Sequence, residues 1–573
     1  MYDRAPRPTD RSGLPMIACF TLVAAIVVTL SSTGFAVDFQ RVPPISFAGG
    51  TLVVAWPVST EPSLIQRRDS YDLLVHFHGD PNVILREASR AELHSAIAIV
   101  NFRGLSSAYR RPFEHDASLF EQLLVQSGCE LRKAEFASAS AIERRIVVSS
   151  FSAGYGAVRE ILKAEANLDR IEGYVAADSI YASIVDSPDD VVAPPPRRVE
   201  PQHMHDFLNL AHQAAKGEKL FVLTHSAQPT PYASTTETAD YLIDALKLER
   251  AFHTATDESR SPKSTCVRGG FQVIGYGGVE ADDHLWHLRK IGDAFGHMLD
   301  LRKSVRPVPP KEHKTGDRRH ALFANQSLDG WYSWLLTSGY DDKENVFAYT
   351  RGMLRISGRQ PGYLATARSY RDYQLSLDFR WGRDQIESRD GMARDAGVFV
   401  HASGPDGNSV DADGAYMAAI ECQVMEAAVG DLMLIRGRDE GTRIPLKLKA
   451  CVGHANDADG WPYVETALNW QRDLARQSAS PVQEIKTWGR LNRRGKRPNW
   501  KDRHGIEDSS QIEAQAGDWN HLVIRCVGDV IVVALNNHVV NAASDVEPSH
   551  GKILFQSEGS EIFVRNVQLD QLR

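Results

Sequence analysis

Runs of lysine and arginine are missing from this sequence, and so are internal repeats and low-complexity tracts. The formal net charge is -8 over 573 residues. Binding to nucleic acid phosphates needs a clustered positive field, so this charge pattern argues against nucleic acid as the main partner. A neutral substrate fits the composition better.

Cysteine is scarce, and none of the six cysteines belongs to a CxxC pair. Cys19 lies in the first apolar run; the other five are Cys129, Cys266, Cys422, Cys451 and Cys526. This sparse, odd set argues against a zinc site and against a disulfide scaffold. A bridge between Cys129 and Cys266 stays open, but burial as small apolar side chains is favoured. We predict no metal and no cofactor.

No apolar run is long enough to span a bilayer. The longest, residues 16–30, covers 15 residues, whereas a transmembrane helix needs roughly 20. Three arginines precede it, and Gly34 and Ala36 follow as small residues at a cleavage site. We therefore predict an export signal over 1–36, a secreted or periplasmic protein, and no stable membrane insertion beyond that signal. An uncleaved anchor is the alternative.

The length predicts two large domains, and the apolar periodicity changes near residue 300. Residues 302–319 contain Pro307, Pro309 and Pro310 with many charges, which indicates a linker between domains at 37–301 and 320–573. In the first domain, short apolar runs alternate with helix-length segments, which predicts a parallel sheet covered by helices on both faces. These runs are 73–77, 97–102, 146–149, 174–177, 220–224 and 271–274.

After the linker the apolar pattern has a period of two. Over 374–381, Leu375, Leu377, Phe379 and Trp381 alternate with polar residues, which predicts a half-buried antiparallel strand. Similar runs recur at 521–526, 531–535, 553–555 and 562–567 with turn residues between them. This pattern is typical of a β-sandwich.

Residues 146–156 combine an apolar strand, a turn of small residues around Ser152, and the start of a helix. This segment resembles the nucleophile elbow of α/β hydrolases, in which an exposed serine attacks a carbonyl and the next N–H, here that of Ala153, helps to bind the oxyanion. Ser150 departs from the pattern because it stands where glycine is usual. His78 and Gly79 follow an earlier strand and resemble the segment that supplies the second oxyanion donor, which would be Gly79. The alternative is a chance turn of serine and glycine.

The base of such a site follows the last strand, where the histidines are His284, His287 and His297. We favour His284, which follows two glycines at a loop-to-helix junction; a simple helix-capping role is the alternative. Asp178 ends a strand and is our candidate acid, although an N-cap role fits as well. Asp282 and Asp283 are further candidate acids. We expect His78 and His225 to line the pocket.

From about residue 320 onward the sequence resembles the 3-keto-disaccharide hydrolase family, which has a concanavalin A-like lectin/glucanase β-sandwich (jelly roll) fold. The matching segments, in chain order, are 322–331, 352–358, 361–366, 397–400, 420–423, 517–520, 535–537, 556–559 and 563–567. The fold class implied for the whole chain is multidomain α/β plus all-β, an α/β-hydrolase-like parallel sheet followed by this sandwich.

This resemblance implies cleavage of glycosides whose sugar has a ketone at carbon 3. Glu421 and Gln423 lie on one face of the strand 420–424, and we expect an open sheet face that binds a sugar, with Glu421 as base. Glu558, after another strand, would add a second carboxylate. The alternatives are a solvated outer-face glutamate, a two-carboxylate glycosidase, and a carbohydrate-binding sandwich without chemistry. We therefore predict an exported carbohydrate-active hydrolase with a serine esterase half. A non-catalytic glycan-binding protein is the remaining alternative.

Overall fold

The computed structural model describes residues 37–58, 67–185, 197–254, 260–305, 319–323, 327–452, 463–465, 482–497, 500–508 and 510–572. The export signal predicted over 1–36 lies outside these ranges, as does most of the predicted linker. Within the described ranges, no helix has the length and apolar character that crossing a membrane requires.

The N-terminal half alternates strands and helices. Its strands are β1 (Phe39–Arg41), β2 (Ile45–Phe47), β3 (Gly50–Pro57), β4 (Arg68–Phe77), β5 (Ala96–Asn101), β6 (Ala137–Phe151), β7 (Ile171–Ala177), β8 (Leu220–His225), β9 (Ala251–Phe252), β10 (Pro262–Arg268) and β11 (Phe271–Tyr276). Its helices are α1 (Pro81–Arg90), α2 (Ser106–His115), α3 (Leu119–Lys133), α4 (Tyr155–Leu162), α5 (Glu165–Arg170), α6 (Pro201–Ala215), α7 (Thr235–Ala245), α8 (Ala281–Arg289) and α9 (Ile291–Ser304).

These strands form one sheet in the order β1-β3-β5-β4-β6-β7-β8-β11-β10-β9, with β2 paired to β3. The six central strands, β5, β4, β6, β7, β8 and β11, are parallel. Each coincides with one of the six predicted strands, except that β5 ends at Asn101, one residue before the predicted end. Their sequences are continuous apolar runs because helices cover both faces of the sheet. The side chains on the two faces belong to two separate core clusters. The parallel α/β prediction is confirmed, and antiparallel strands extend the sheet at both edges.

The C-terminal half is built from strands. These are β12 (Arg319–Ala321), β13 (Trp331–Leu335), β14 (Phe347–Thr350), β15 (Met353–Ile356), β16 (Gly362–Thr366), β17 (Tyr373–Gln385), β18 (Asp395–Ser403), β19 (Ala418–Met425), β20 (Leu432–Ile435), β21 (Arg438–Asp439), β22 (Thr442–Arg443), β23 (Lys447–Cys451), β24 (Tyr463–Glu465), β25 (Val482–Lys486), β26 (Arg490–Asn492), β27 (Asn520–Val527), β28 (Val530–Leu535), β29 (His538–Glu547), β30 (Lys552–Ser557) and β31 (Ser560–Gln571).

Two antiparallel sheets dominate this half. One has the order β14-β15-β31-β17-β27-β28-β29-β23-β25 with β12 on β31, and the other has the order β13-β16-β30-β18-β19-β20-β26-β24. Alternate residues of both sheets, such as Leu375 and Phe379 on β17 and Ile420 and Cys422 on β19, share one core. The predicted β-rich half with period-two strands is therefore confirmed.

The outer face of the first sheet is covered by the N-terminal half. Val523 and Val532 pack with Val125 and Cys129 of α3. Beside them Arg525 is buried, with Nε 2.9 Å from Glu121 Oε2 and its other nitrogens on Glu143. The polar face of strand 374–381 is therefore buried at Gln374 and Ser376, where the N-terminal half replaces solvent, whereas Asp378 and Arg380 are partly exposed. The half-buried strand predicted from the sequence is thus wrong for the first part of the strand only.

The structure also tests the predicted start of the linker and the possible bridge between Cys129 and Cys266. Helix α9 continues to Ser304, so the predicted linker begins inside a helix. Cys129 and Cys266 are both free and buried, which leaves no disulfide between them.

Candidate active sites

Ser152 sits on a sharp bend between β6 and α4. It begins a 3-10 turn, Ser152–Gly154, with φ at 47°, and it is partly exposed. A non-glycine residue rarely adopts this left-handed conformation, which marks the bend as strained. The bend packs tightly against β4, since a Cβ added at Gly154 would lie 2.2 Å from the carbonyl oxygen of Phe77. The serine is thereby held on a rigid turn at the carboxyl end of a central strand.

Ser150 is accommodated in place of the usual glycine because its hydroxyl is paired. Its Oγ lies 2.6 Å from the Tyr174 hydroxyl and 2.7 Å from Ser179 Oγ. Ser179 in turn donates to the carbonyl oxygen of Ser152 at 2.8 Å. This buried chain ties the bend to the end of β7, where Asp178 lies.

Asp178 and His284 form a hydrogen bond of 2.7 Å between Oδ2 and Nδ1. Asp178 is buried, and its Oδ1 also accepts from the Ser226 N–H at 2.9 Å and from Thr235 Oγ1 at 2.5 Å. Burial alone would raise the pKa of Asp178, but the hydrogen bond from His284 and the neighbouring imidazoles hold it well below its usual range. The carboxylate is therefore ionised and fixes the His284 tautomer with the proton on Nδ1.

The ring of His284 stacks on Phe151, the residue before Ser152, with centroids 4.7 Å apart. Its Nε2 points away from Asp178, as a general base for Ser152 requires. Within the described residues, no hydrogen bond joins His284 to the Ser152 hydroxyl. The three residues Ser152, His284 and Asp178 are thus brought to the same edge of the sheet, as the sequence predicted, although the serine–imidazole contact is not formed.

Gly79 differs from its predicted role. Its N–H donates to Asn101 Oδ1 at 3.0 Å, and Asn101 Nδ2 donates back to the Gly79 carbonyl at 2.9 Å. This N–H is occupied, so it is not free for an oxyanion. The next residue, Asp80, is the N-cap of α1. The Asp80 N–H becomes the candidate partner for the N–H of Ala153.

The histidines near the bend have distinct surroundings. His78 Nδ1 lies 2.7 Å from the Tyr109 hydroxyl, and burial, followed by nearby His284, lowers the pKa of His78. His225 does not line an opening as predicted; it is buried, with Nδ1 3.0 Å from Thr236 Oγ1. His287 is buried with Nδ1 2.9 Å from Thr224 Oγ1, which removes it as a rival base.

A second polar cluster lies in the sandwich around Gly397 of β18. A Cβ at Gly397 would lie 2.4 Å from Glu421 Oε1 and 2.8 Å from Gln556 Oε1, so these two groups approach each other over the glycine. Both Glu421 oxygens and the Oε1 atoms of Gln423 and Gln556 are buried without a hydrogen-bond partner. Four unpaired oxygen atoms in one place favour a polar ligand that forms hydrogen bonds with them.

The charges of this cluster are also unusual. Burial, then the nearby carboxylates of Glu558 and Asp395, raise the pKa of Glu421 well above its ordinary value. Burial raises the pKa of Asp395 to about 6. The Nε2 atoms of Gln423 and Gln556 donate to Asp395 and Glu558 respectively, so the sequence-predicted Glu421, Gln423 and Glu558 do meet.

The predicted open sheet face is not observed, because Glu421 is 1% exposed and Gln423 is 3% exposed. Tyr416, from the segment before β19, is buried with its hydroxyl 3.5 Å from the carbonyl oxygen of Ser557, and Arg389 lies 2.9 Å from Asp395. These segments cover the face. Loop packing of this kind cannot be read from the alternation within a strand.

Among the described residues, no group of three or more histidine, cysteine or acidic side chains is placed to hold a metal ion.

Comparison with known proteins assigns the C-terminal half. Residues 319–570 match the family model of the 3-keto-alpha-glucoside-1,2-lyase-like domain. This match confirms the family resemblance predicted from the sequence, and we refer below to these residues as the lyase-like domain. The matched residues include the Glu421 cluster. No curated protein matches the chain.

Several solved structures are similar to parts of the chain. A protein from Parabacteroides distasonis, provisionally described as a glycosyl hydrolase, is 14% identical over 44% of this chain and 94% of its own, with a TM-score of 0.25. The carbohydrate binding module CBM66 from Bacillus subtilis is 12% identical over 42% and 94%, with a TM-score of 0.22. S-formylglutathione hydrolase from Staphylococcus aureus is 14% identical over 47% and 98%, with a TM-score of 0.28. All three scores are low, and none of these likenesses supports a function for this chain.

Proposed function

We propose that the chain is a carbohydrate-active hydrolase in which an α/β-hydrolase-type half cleaves acyl esters and a concanavalin-like sandwich acts on the sugar. The observation that carries the esterase half is the 2.7 Å hydrogen bond from His284 to the buried carboxylate of Asp178, beside the strained bend at Ser152. Each residue of the triad follows a different parallel strand, where the carboxyl ends of the sheet converge.

In the proposed reaction the Ser152 hydroxyl attacks the ester carbonyl while His284 Nε2 takes its proton. Asp178 stabilises the imidazolium that results. The carbonyl oxygen becomes an oxyanion between the N–H groups of Ala153 and Asp80. The protonated imidazole then delivers the proton to the leaving alcohol, and water hydrolyses the acyl-enzyme by the same steps.

Three tyrosines beside the bend favour a ring-bearing substrate. Tyr155 packs on Tyr181 with centroids 5.6 Å apart, and Tyr181 packs on Tyr232 with centroids 5.4 Å apart. Tyr232 is 47% exposed. An exposed aromatic ring backed by two further rings suits a sugar or an aromatic acyl group.

Hydrolysis of p-nitrophenyl acetate and of a peracetylated disaccharide tests the esterase half. Ser152→Ala and His284→Gln are expected to lower kcat about 10³-fold or more, whereas Ser107→Ala, at an exposed serine of α2, leaves it unchanged. Retention of wild-type turnover by Ser152→Ala contradicts the proposal.

For the lyase-like domain the unpaired Glu421 carboxyl supports a proton donor in place of the base expected from the sequence. Its raised pKa keeps it protonated at neutral pH, whereas Asp395, with a pKa of about 6, is ionised there. In a 3-keto-glycoside, Asp395 would remove the acidified proton on carbon 2 while Glu421 protonates the departing oxygen on carbon 1. Water then adds to carbon 1 of the unsaturated sugar and gives a proton to Glu421, while Asp395 returns its proton to carbon 2.

Assays of a 3-keto-glucoside and of the unoxidised disaccharide distinguish this reaction from simple binding. Glu421→Gln should abolish cleavage of the keto substrate, with Glu344→Gln, an exposed acid of the same domain, as the matched control. Binding of the sugar without turnover by the wild-type protein would favour a carbohydrate-binding module that tethers the esterase.

We also propose that the chain is exported by residues 1–36. Amino-terminal sequencing of the protein from the periplasm or medium should begin near Val37. Recovery in the cytoplasm with residue 1 intact would contradict export.

A further inference from the structure

A cleft of about 260 Å³ opens on the surface of the sandwich beyond the end of β20. The charged residues that line it are Arg436, Arg438, Arg443, Lys447, Lys486 and Glu547. We call it the basic cleft, since five of these six groups are cationic. This local excess of positive charge is not apparent from the net negative charge of the whole chain.

Two arginines of the basic cleft face each other on a short hairpin. Arg438 of β21 pairs directly with Arg443 of β22, and both are exposed. Like charges directly opposite on an antiparallel pair are destabilising. The two hairpin carboxylates, Asp439 and Glu440, do not relieve this: Asp439 alternates to the other face and Glu440 is in the turn.

The other cations of the cleft are compensated. Arg436 bonds Asp411 through Nε at 2.8 Å, and Lys447 lies 2.9 Å from Asp545. Within the described residues, neither Arg438 nor Arg443 forms an ion pair. Packing does not require this pair of guanidinium groups, so their placement points to an anionic ligand.

The basic cleft lies where the two sheets meet: Arg436 follows β20 of the sheet that contains Glu421, whereas Lys447 and Glu547 lie on β23 and β29 of the other sheet. Glu421 pairs with Met433 of β20, and Arg436 follows three residues later along the chain. At about 3.3 Å per residue, this separation is about 10 Å along the sheet. A glycan held at the cluster would therefore extend toward the cleft.

We propose that the basic cleft binds the carboxylate or sulfate group of an acidic sugar residue that neighbours the sugar held at the Glu421 cluster. This inference rests on the proposed function of the lyase-like domain. Guanidinium groups suit the task because their planar forks bind carboxylates and sulfates through two parallel hydrogen bonds. The inference replaces the neutral substrate expected from composition, because the charge of a whole chain says little about one cleft.

Calorimetric titration of the full-length chain with a hexameric oligogalacturonide tests the proposal, with its fully methyl-esterified form as the uncharged match. Dextran sulfate and dextran form a second matched pair. The acidic member of at least one pair should bind. The double variant Arg438→Gln/Arg443→Gln should weaken that binding about tenfold or more, and added salt should weaken it further.

The matched control is Arg351→Gln/Arg368→Gln, which removes two exposed arginines elsewhere in the sandwich. The control should bind as the wild type does. Equal binding of the charged and uncharged members of both pairs, or equal weakening by the control, overturns the proposal. Full competition by an equal concentration of inorganic phosphate also overturns it, since the cleft would then be a small-anion site only.

Turnover of a 3-keto-glycoside by the wild-type protein, measured beside this titration, separates the proposal from the function on which it rests. Acid-dependent binding by a wild-type protein that turns over no 3-keto-glycoside supports the cleft while the proposed reaction fails. Turnover of a 3-keto-glycoside with no binding of either acidic probe rejects the cleft alone.

Discussion

Replacement of Asp178 by asparagine should disable the serine site while leaving its shape intact. Oδ1 of Asp178 accepts from the Ser226 N–H and the Thr235 hydroxyl, whereas Oδ2 accepts from His284. An asparagine keeps its single oxygen toward the first two donors, so its NH₂ group faces His284 Nδ1. That nitrogen must then accept, which moves the imidazole proton to Nε2.

With the proton on Nε2, His284 cannot take the proton of Ser152. The same tautomer exchange lowers kcat about 10⁴-fold in serine proteases of known mechanism, and we expect a loss of about 10³- to 10⁴-fold here. The assay is kcat and KM for p-nitrophenyl acetate, with circular dichroism to confirm folding. KM should change little, because Asp178 is buried away from the substrate.

Asp282→Asn is the matched control. Asp282 lies two residues before His284 on the same helix, is exposed, and pairs with Arg260. Its replacement should leave turnover unchanged. The reasoning is refuted if Asp178→Asn retains turnover within about tenfold of the wild type, or if Asp282→Asn is the variant that loses it.

Three further outcomes follow from the buried groups. Gly397→Ala should destabilise the fold by about 1–3 kcal/mol in thermal denaturation and weaken sugar binding at the Glu421 cluster, because the new Cβ would lie 2.4 Å from Glu421 Oε1. Unchanged stability and unchanged sugar binding would show that Glu421 does not approach Gly397 this closely. Arg525→Met should cost about 3–5 kcal/mol in urea denaturation, since it leaves two buried carboxylates with less compensation; a loss below about 1 kcal/mol would show that the charges are not buried together. Burial alone would raise the pKa of Glu143, but Arg525 and Arg170 lower it from 4.5 to about 2. The Glu143 carboxylate therefore contributes up to roughly 3 kcal/mol to the free energy of unfolding above pH 4.5, and this contribution is lost as the pH falls toward 2. Unfolding measured as a function of acid pH should show that loss in the wild type and a smaller loss in Arg525→Met.

The six central strands of the N-terminal sheet were predictable because strands covered on both faces are continuous apolar runs between helix-length segments. The edge strands β1, β2 and β9 were not, because they have only two or three residues each. The sandwich strands followed from their period of two. Burial of the polar face of β17 was not predictable, since it depends on Arg525 and the acids of the other half.

The catalytic candidates Ser152, Asp178 and His284 were predictable from their positions after strands of a parallel sheet. The occupied N–H of Gly79 was not, because it depends on the side chain of Asn101 at the end of another strand. Burial of Glu421 likewise depends on loop packing. The importance of Gly397, which leaves space for the Glu421 carboxyl and the Gln556 amide, was not predictable either, because it depends on the pairing of Gly397 with Gln423 on the neighbouring strand.

The proposed esterase function requires that Ser152 act as a nucleophile activated by His284. Treatment with a fluorophosphonate probe followed by mass spectrometry of peptides tests it most directly. We predict one modified peptide containing Ser152, lost in Ser152→Ala and strongly slowed in His284→Gln. No labelling of Ser152 in the folded protein, or labelling that is as fast in His284→Gln, would contradict the account.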